Sequence, residues 1–388
     1  MPLRVVRRTV APIVRFVHVE SAGGIVLLIA TVVSLVLANS PWREGWASLW
    51  HRELPFEIAG EQLDWRALVD EGLMALFFFV VGLEIKREMV TGELRDRRAV
   101  TLPVAAALGG MIVPALVYTA FNAGTSGAGG WAIPMATDIA FATGIVALVG
   151  TGVPLAATTT LLALAVVDDI GAIIVIAVFF SERVDLGALA LAALVVVAAV
   201  MLFRRTTAAV LVALAGLGLW LLVFQSGVHP TIAGVALGLA MPAAACERYE
   251  TRLHPIASFV VVPLFALANA GIALHIAAIT SPSTVLLGVL VGLVVGKFVG
   301  IAGGGALVVR AGAARLPAGA TRGQLAGVAA AGGIGFTVSL FIAGLAFDDG
   351  SREQGDAVLG TLIGSVVAAL AATAVLVASS RRARAPSA

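Results

Sequence analysis

Apolar residues run along the chain in long unbroken blocks, separated by short polar punctuation. The blocks fall at roughly 18–38, 66–88, 99–121, 130–149, 154–180, 185–203, 207–224, 228–242, 256–277, 284–309, 323–347 and 357–379. At about 1.5 Å per residue, some 20 residues cover the ~30 Å of a bilayer core. The blocks are continuous, not alternating, which argues against a β-barrel. The pattern therefore predicts an all-α polytopic membrane protein with twelve transmembrane helices. The first block contains Glu20 and is too long for a signal-peptide core, so it reads as an uncleaved span.

One stretch departs from this pattern. Between about 42 and 65 the chain is polar, and Leu54-Pro-Phe-Glu-Ile58 and Glu61-Gln-Leu-Asp-Trp65 flank Ala59-Gly60. Alternation around a glycine turn predicts a short external β-hairpin, though an irregular external loop fits equally. A lone hairpin is marginal in water. A homodimer contact through Leu54–Trp65 follows as an expectation.

Composition narrows the class. Of 388 residues, 60% are hydrophobic and only 12% charged, with a mean hydropathy of +1.03; soluble domains are about a quarter charged. The 43 glycines suit close helix packing in lipid. A single cysteine, Cys246, excludes an internal disulfide and a cysteine-cluster metal site. A net charge of +2 gives no reason to expect nucleic acid. Placement matters more than total. With the N-terminus in the cytoplasm, only Arg43, Arg52, Arg66, Arg183 and Arg352 fall outside, Lys297 lies inside a span, and every other Lys and Arg is cytoplasmic. That asymmetry supports twelve spans with both termini cytoplasmic. The chain reads as one transmembrane domain over 1–388, with a cytoplasmic tail at about 380–388.

Charge inside the spans carries the chemistry. Asp168 and Asp169 are adjacent in the fifth block, Asp138 is central in the fourth, Lys297 in the tenth. A charge at mid-membrane costs roughly 3 kcal/mol or more, and adjacent acids disfavour each other's ionisation. Three acids and one ammonium at one depth leave negative charge that a cation neutralises. Two spans read as broken, at Pro134 and at Gly332-Gly333-Ile334-Gly335. Unwound backbone in a bilayer survives only when buried or lining a cavity. It places half-helix ends near the acids. Asp138-Ile-Ala-Phe141 is echoed by Gly333-Ile-Gly-Phe336. Together with opposite starting sides, the echo predicts inverted repeats of spans 3–5 and 10–12, with the two breaks crossing near the midplane.

Several long motifs point to one family. Val81-Gly-Leu-Glu-Ile-Lys-Arg-Glu88, Gly130-Trp-Ala-Ile-Pro-Met-Ala-Thr-Asp-Ile-Ala-Phe141, Leu164-Ala-Val-Val-Asp-Asp-Ile-Gly-Ala-Ile-Ile174, Ser226-Gly-Val-His229, Pro263-Leu-Phe-Ala-Leu-Ala-Asn-Ala-Gly271 and Gly332-Gly-Ile-Gly-Phe-Thr337 occur in order. They resemble the NhaA family of sodium–proton antiporters over roughly residues 18–380. That family is itself a standard case of the inverted-repeat plan.

The resemblance implies a secondary active transporter, not an enzyme, of the bacterial inner membrane. It implies electrogenic, pH-regulated exchange of two protons for one Na+ or Li+ by alternating access, without a cofactor. It makes Asp169 the ion- and proton-exchanging acid, Asp168 its neighbour paired with Lys297, and Asp138 and Thr137 the broken-span part of the site. Glu84, Glu88, His229, Glu250 and His254 match positions tied to the pH response. The chain departs from the family at Asp70-Glu71, where an Asn-Asp pair is common, and at Thr251, where a histidine occurs.

Simpler readings stand beside these. Glu84 and Arg87 also suit a surface pair, and His229 suits a cap or core histidine. Lys297 either releases a proton or only holds Asp168. The Gly-x-Gly-Asp motif of intramembrane proteases and the Asp-Asp-x-x-Asp of prenyl transferases are absent. A sodium-coupled organic-anion symporter needs a wider cavity.

Overall fold

The computed structural model describes residues 22–384, apart from 93, 94, 96, 182, 275–279 and 318. Arg4, Arg7, Arg8, Arg15, Glu20 and the last four residues of the tail lie outside that set.

The described chain is helical throughout. In order come α1 (Ala22–Ala38) and α2 (Arg43–Trp50). Next is α3, a continuous helix made of Trp65–Ala67, the π-wound Leu68–Leu73 and Met74–Val90. Then follow α4 (Arg97–Asn122), a 3-10 helix (Ser126–Met135), α5 (Ile139–Val149), α6 (Leu155–Phe179), α7 (Leu186–Phe203), α8 (Ala209–Gln225) and α9 (Thr231–Ala240). The chain closes with α10 (Ala243–Asn269), α11 (Thr284–Arg310), α12 (Arg322–Ala331), α13 (Phe336–Ala346) and α14 (Arg352–Arg384).

Seven of the described helical runs are long and apolar enough to cross a membrane, or up to nine if each of two bent pairs counts as one span. This is a polytopic membrane protein. Twelve apolar blocks were predicted. Two of the other blocks become shorter helices, α8 and α9, with 17 and 10 residues, and α3 falls outside the class although it runs from Trp65 to Val90, because it carries charges near both ends. The block predicted at 256–277 starts much earlier, at Ala243. Its polar first half stays helical because partners hold it: the Tyr249 hydroxyl donates to the Thr207 carbonyl at 2.8 Å and Arg248 to the same carbonyl at 2.9 Å.

The stretch between α2 and α3 contains no strand. Two isolated antiparallel bridges, Glu53 with Asp64 and Ile58 with Glu61, close around Ala59 and Gly60, both at positive φ. The predicted turn is present, but Pro55 lacks an N–H to extend a ladder. Helix α2 was not anticipated. Its Trp46 and Trp50 pack edge to face at 5.5 Å, one turn apart.

Two glycine seams bring backbones together. A Cβ at Gly300 of α11 would strike the Gly109 carbonyl of α4, and one at Gly304 the Ala105 carbonyl. Likewise a Cβ at Gly82 of α3 would lie 2.7 Å from the Val235 carbonyl of α9. Gly296, Gly300 and Gly304 recur every fourth residue, as do Gly234 and Gly238, the small-xxx-small spacing that lets helices touch in lipid. The first seam sets the depth of Lys297, which follows the π-wound Gly292–Gly296.

Candidate functional site

Both predicted helix breaks are present, and they meet. The 3-10 helix ends at Met135, residues 136–138 are extended, and α5 starts at Ile139, with a bend of 44°. The second break separates α12 from α13 at Gly332–Gly335. The Asp138 amide donates to the Ile334 carbonyl at 2.6 Å, joining the two breaks through their backbones.

Asp138 serves two helix ends at once. Its Oδ1 accepts from the Phe141 amide at 3.2 Å, capping α5. Its Oδ2 accepts from the Thr337 amide at 3.0 Å and from the Thr337 hydroxyl, capping α13. Gly335 sits at the N-cap of α13 and has no side chain to do this. A carboxylate at two N-termini is held by two partial positive ends.

The adjacent triad is built from different elements. Lys297 Nζ donates to Asp168 Oδ2 and, at 2.9 Å, to Thr137 Oγ1. Thr137 Oγ1 lies within donating distance of Asp168 Oδ2 and of the Gly332 carbonyl, the latter at 2.9 Å. That carbonyl belongs to the C-terminal end of α12, where positive charge is favoured. Lys297 and Asp168 are fully buried as side chains. Asp168 Oδ1 is buried and has no hydrogen-bond partner among the described residues.

Asp169 is placed differently from its neighbour. One residue further along α6, it lines a cavity of about 70 Å³ together with Glu84, Thr137, Asp138, His254 and Thr337. Among the described residues no group of three or more His, Cys, Asp or Glu side chains converges closely enough to hold a metal ion. Of the three aspartates, Asp138 is engaged by Thr337 and Asp168 by Lys297, while Asp169 lines the cavity without a hydrogen-bond partner among the described residues.

The remaining candidates split into two groups. Glu84 and His254 line the same cavity as Asp169. Beside them Arg87 pairs with Glu250 at 3.1 Å, linking α3 to α10, and with Glu88 at 3.3 Å. The Arg87–Glu250 contact is an ion pair without hydrogen-bond alignment. His229 does not join them. It meets Thr231 Oγ1 at 2.8 Å and the Phe341 ring at 5.1 Å. It lines a second cavity, of about 230 Å³, with Asp64, Arg66, Asp70, Asn269 and Asp349. Phe341 also packs on Phe78 and Phe265, at 5.5 and 6.0 Å. Grouping His229 with the other pH-response candidates is therefore not reflected in space.

Two participants escaped the reading of the sequence. Thr337 was visible only as the end of a motif, and its position two residues into a half-helix was the available signal. Arg66 was counted only as an external charge. It donates to Asn269 Oδ1 at 3.0 Å and pairs with Asp349, while Asn269 Nδ2 donates to Asp70 at 2.6 Å.

A many-helix membrane protein with ionisable residues buried at the crossing of two interrupted helices belongs to the class of ion-handling membrane proteins. The comparisons specify which. The chain belongs to the Na+/H+ antiporter 1 family, whose model matches residues 14–376. It is 46% identical to Na(+)/H(+) antiporter NhaA 2 of Novosphingobium aromaticivorans, covering 93% of this chain and 95% of that protein. It is 46% identical to the protein of the same name from Pseudomonas syringae pv. syringae, covering 94% of each. To Na(+)/H(+) antiporter NhaA of Rhodopirellula baltica it is 40% identical, over 97% of this chain and 96% of the other.

Proposed function

We propose that the protein is an electrogenic secondary antiporter of the bacterial cytoplasmic membrane, exchanging Na+ or Li+ for H+ at two protons per cation. The observation that carries this is the unequal Asp pair: Asp168 is tied to Lys297, and Asp169 faces the cavity. A hard cation seeks oxygen ligands, and an ionised carboxylate supplies them. Protonation of Asp169 cancels that charge, so proton and cation exclude each other. Thr137, Asp138 and the unpartnered Asp168 Oδ1 are the further oxygens a cation reaches beside Asp169. When a cation draws on Asp168, Lys297 loses its counter-charge. It then either surrenders a proton or stays charged, and Lys297→Arg separates the two, because arginine holds its proton.

The two cavities support alternating access. The one with Asp169 opens past Glu84 and His254, the end that charge counting assigns to the cytoplasm. The one with Asp70 and Asp349 lies beyond the Phe341 cluster. Twelve spans with both termini cytoplasmic are supported by the distribution of arginines. An inverted repeat is supported by Thr137 contacting Gly332, since the sequence echo makes those two positions equivalent. The turn at Ala59-Gly60 remains the candidate dimer contact. Glu84, Glu88, Glu250 and His254 are the proposed pH-responsive set; His229, in the other cavity, would act from the opposite side. The reading requires a single transmembrane domain and no cofactor.

The test is proton movement in everted vesicles on adding Na+ or Li+. Cation-dependent collapse of a preset pH gradient is expected, and its absence across pH 6–9 with intact inserted protein would overturn the reading.

A further inference from the structure

Away from the ion site, α4, α6, α11 and α12 leave an apolar slot of about 380 Å³ between them. Leu102, Leu164, Ile301, Leu325 and Ala329 are among its walls, and Arg310 and Arg322 stand on its rim. The slot has a direction. Arg310 is nine residues beyond Ile301 on α11, about 13 Å at 1.5 Å per residue, and Arg322 is seven before Ala329 on α12, about 10 Å. Both arginines are thus at one end, and the deep end is hydrocarbon. Both are exposed, and among the described residues neither pairs with a carboxylate.

We propose that this slot binds an anionic phospholipid, with an acyl chain between the helices and the phosphate on Arg310 and Arg322. Three features select this occupant. The walls are apolar and the chain sits in lipid, so an acyl chain is the abundant apolar group at hand. The rim carries two arginines, and a guanidinium group matches a phosphate bidentately. Basic pockets between transmembrane helices on the cytoplasmic side are a recurrent headgroup site, and charge counting puts this end there.

The slot also abuts the charged triad. Leu164 lies one turn before Asp168 on α6, and Ile301 one turn after Lys297 on α11. Ala329 is three residues before Gly332. Leu164, Ile301 and Ala329 are buried and packed together. An acyl chain in the slot therefore backs the wall that holds the Lys297–Asp168 pair, which makes the lipid a positioning element for the triad.

The experiment uses the full chain, delipidated in detergent and exposed to vesicles of equal parts phosphatidylglycerol and phosphatidylcholine. Retained lipid is then counted by native mass spectrometry. Selective retention of phosphatidylglycerol is expected, falling by roughly fivefold per arginine removed in R310Q and R322Q. The slot-filling variants A306F and A302F, which keep both arginines, should lose the same lipid. R352Q, at the opposite end of the helices where the arginine pairs with Asp356, should leave that component unchanged. Retention unaffected by the arginine changes overturns the proposal. So does loss in the arginine variants without loss in either filling variant, which would mean a surface basic patch. Stabilisation of the intact protein by inorganic phosphate equal to that by phosphatidylglycerol would also overturn it. Unfolding temperature in phosphatidylcholine checks that each variant is folded.

Discussion

Lys297–Asp168 and Arg66–Asp349 are both ion pairs between distant segments, but only the first is sealed. Neither side chain of the inner pair is exposed, whereas the outer pair leaves arginine 17% and aspartate 47% exposed. Burial changes what such a pair does. A surface pair adds about 0–1 kcal/mol and is screened by salt. A buried one has already lost its hydration, so each member depends on the other. The outer pair therefore acts as an adjustable tie between the start of α3 and the turn before α14. The inner pair is a commitment that a competing cation can disturb only by offering equal charge.

The sharpest way to break this contrast is Asp169→Asn. It should abolish Na+- and Li+-dependent proton movement while the protein still inserts and folds, since among the described residues Asp169 has no hydrogen-bond partner to strand. Normal exchange in that variant would reduce the buried charges to structure.

Lys297→Met comes next. Removing one member of a buried pair should cost about 3–5 kcal/mol in stability, measured by thermal or denaturant unfolding in detergent. Asp168→Asn in the same chain should recover much of that loss. If the double variant is no more stable than the single one, the pair is not coupled.

Thr337→Val sharpens the role of Asp138. The hydroxyl bond to the carboxylate is lost and the amide bond stays, so a loss of roughly 1.5–3 kcal/mol is expected. Exchange should weaken with it, because the two half-helices share that cap. Unchanged stability would mean that the amide alone suffices.

The smallest effects belong to the ties at the helix ends, each of which keeps one partner within reach of water. Arg66→Gln should change stability by no more than about 1 kcal/mol, and less at high salt. Glu250→Gln should have a comparably small effect on stability. A shift in the pH dependence of exchange by Glu250→Gln would separate a regulatory role from a merely structural one.

The extent to which the fold was legible follows from what each signal measures. Long apolar blocks mark where helix can cross lipid, and the breaks at Pro134 and Gly332–Gly335 were readable because those residues weaken a helix wherever it packs. The boundary at Ala243 was misplaced because hydropathy sees Glu247–His254 as polar. It cannot see that Thr207, in the turn before α8, and Arg87 of α3 meet this segment. The predicted hairpin kept its turn, which is local chemistry, but formed no strands, whose pairing needs a longer ladder.

Sequence alone determined the membrane class, the chain's family, the two helix breaks and the identity of the buried charges. All of these rest on local composition, spacing or motif. Tertiary structure alone decided which acid faces the cavity and which is paired. It also made Asp138 the cap of a half-helix 199 residues away, put His229 on the far side of Phe341, and left a slot beneath two arginines. Those outcomes depend on how non-adjacent helices meet at their glycine seams, and spacing within one helix carries no record of the neighbour it will touch.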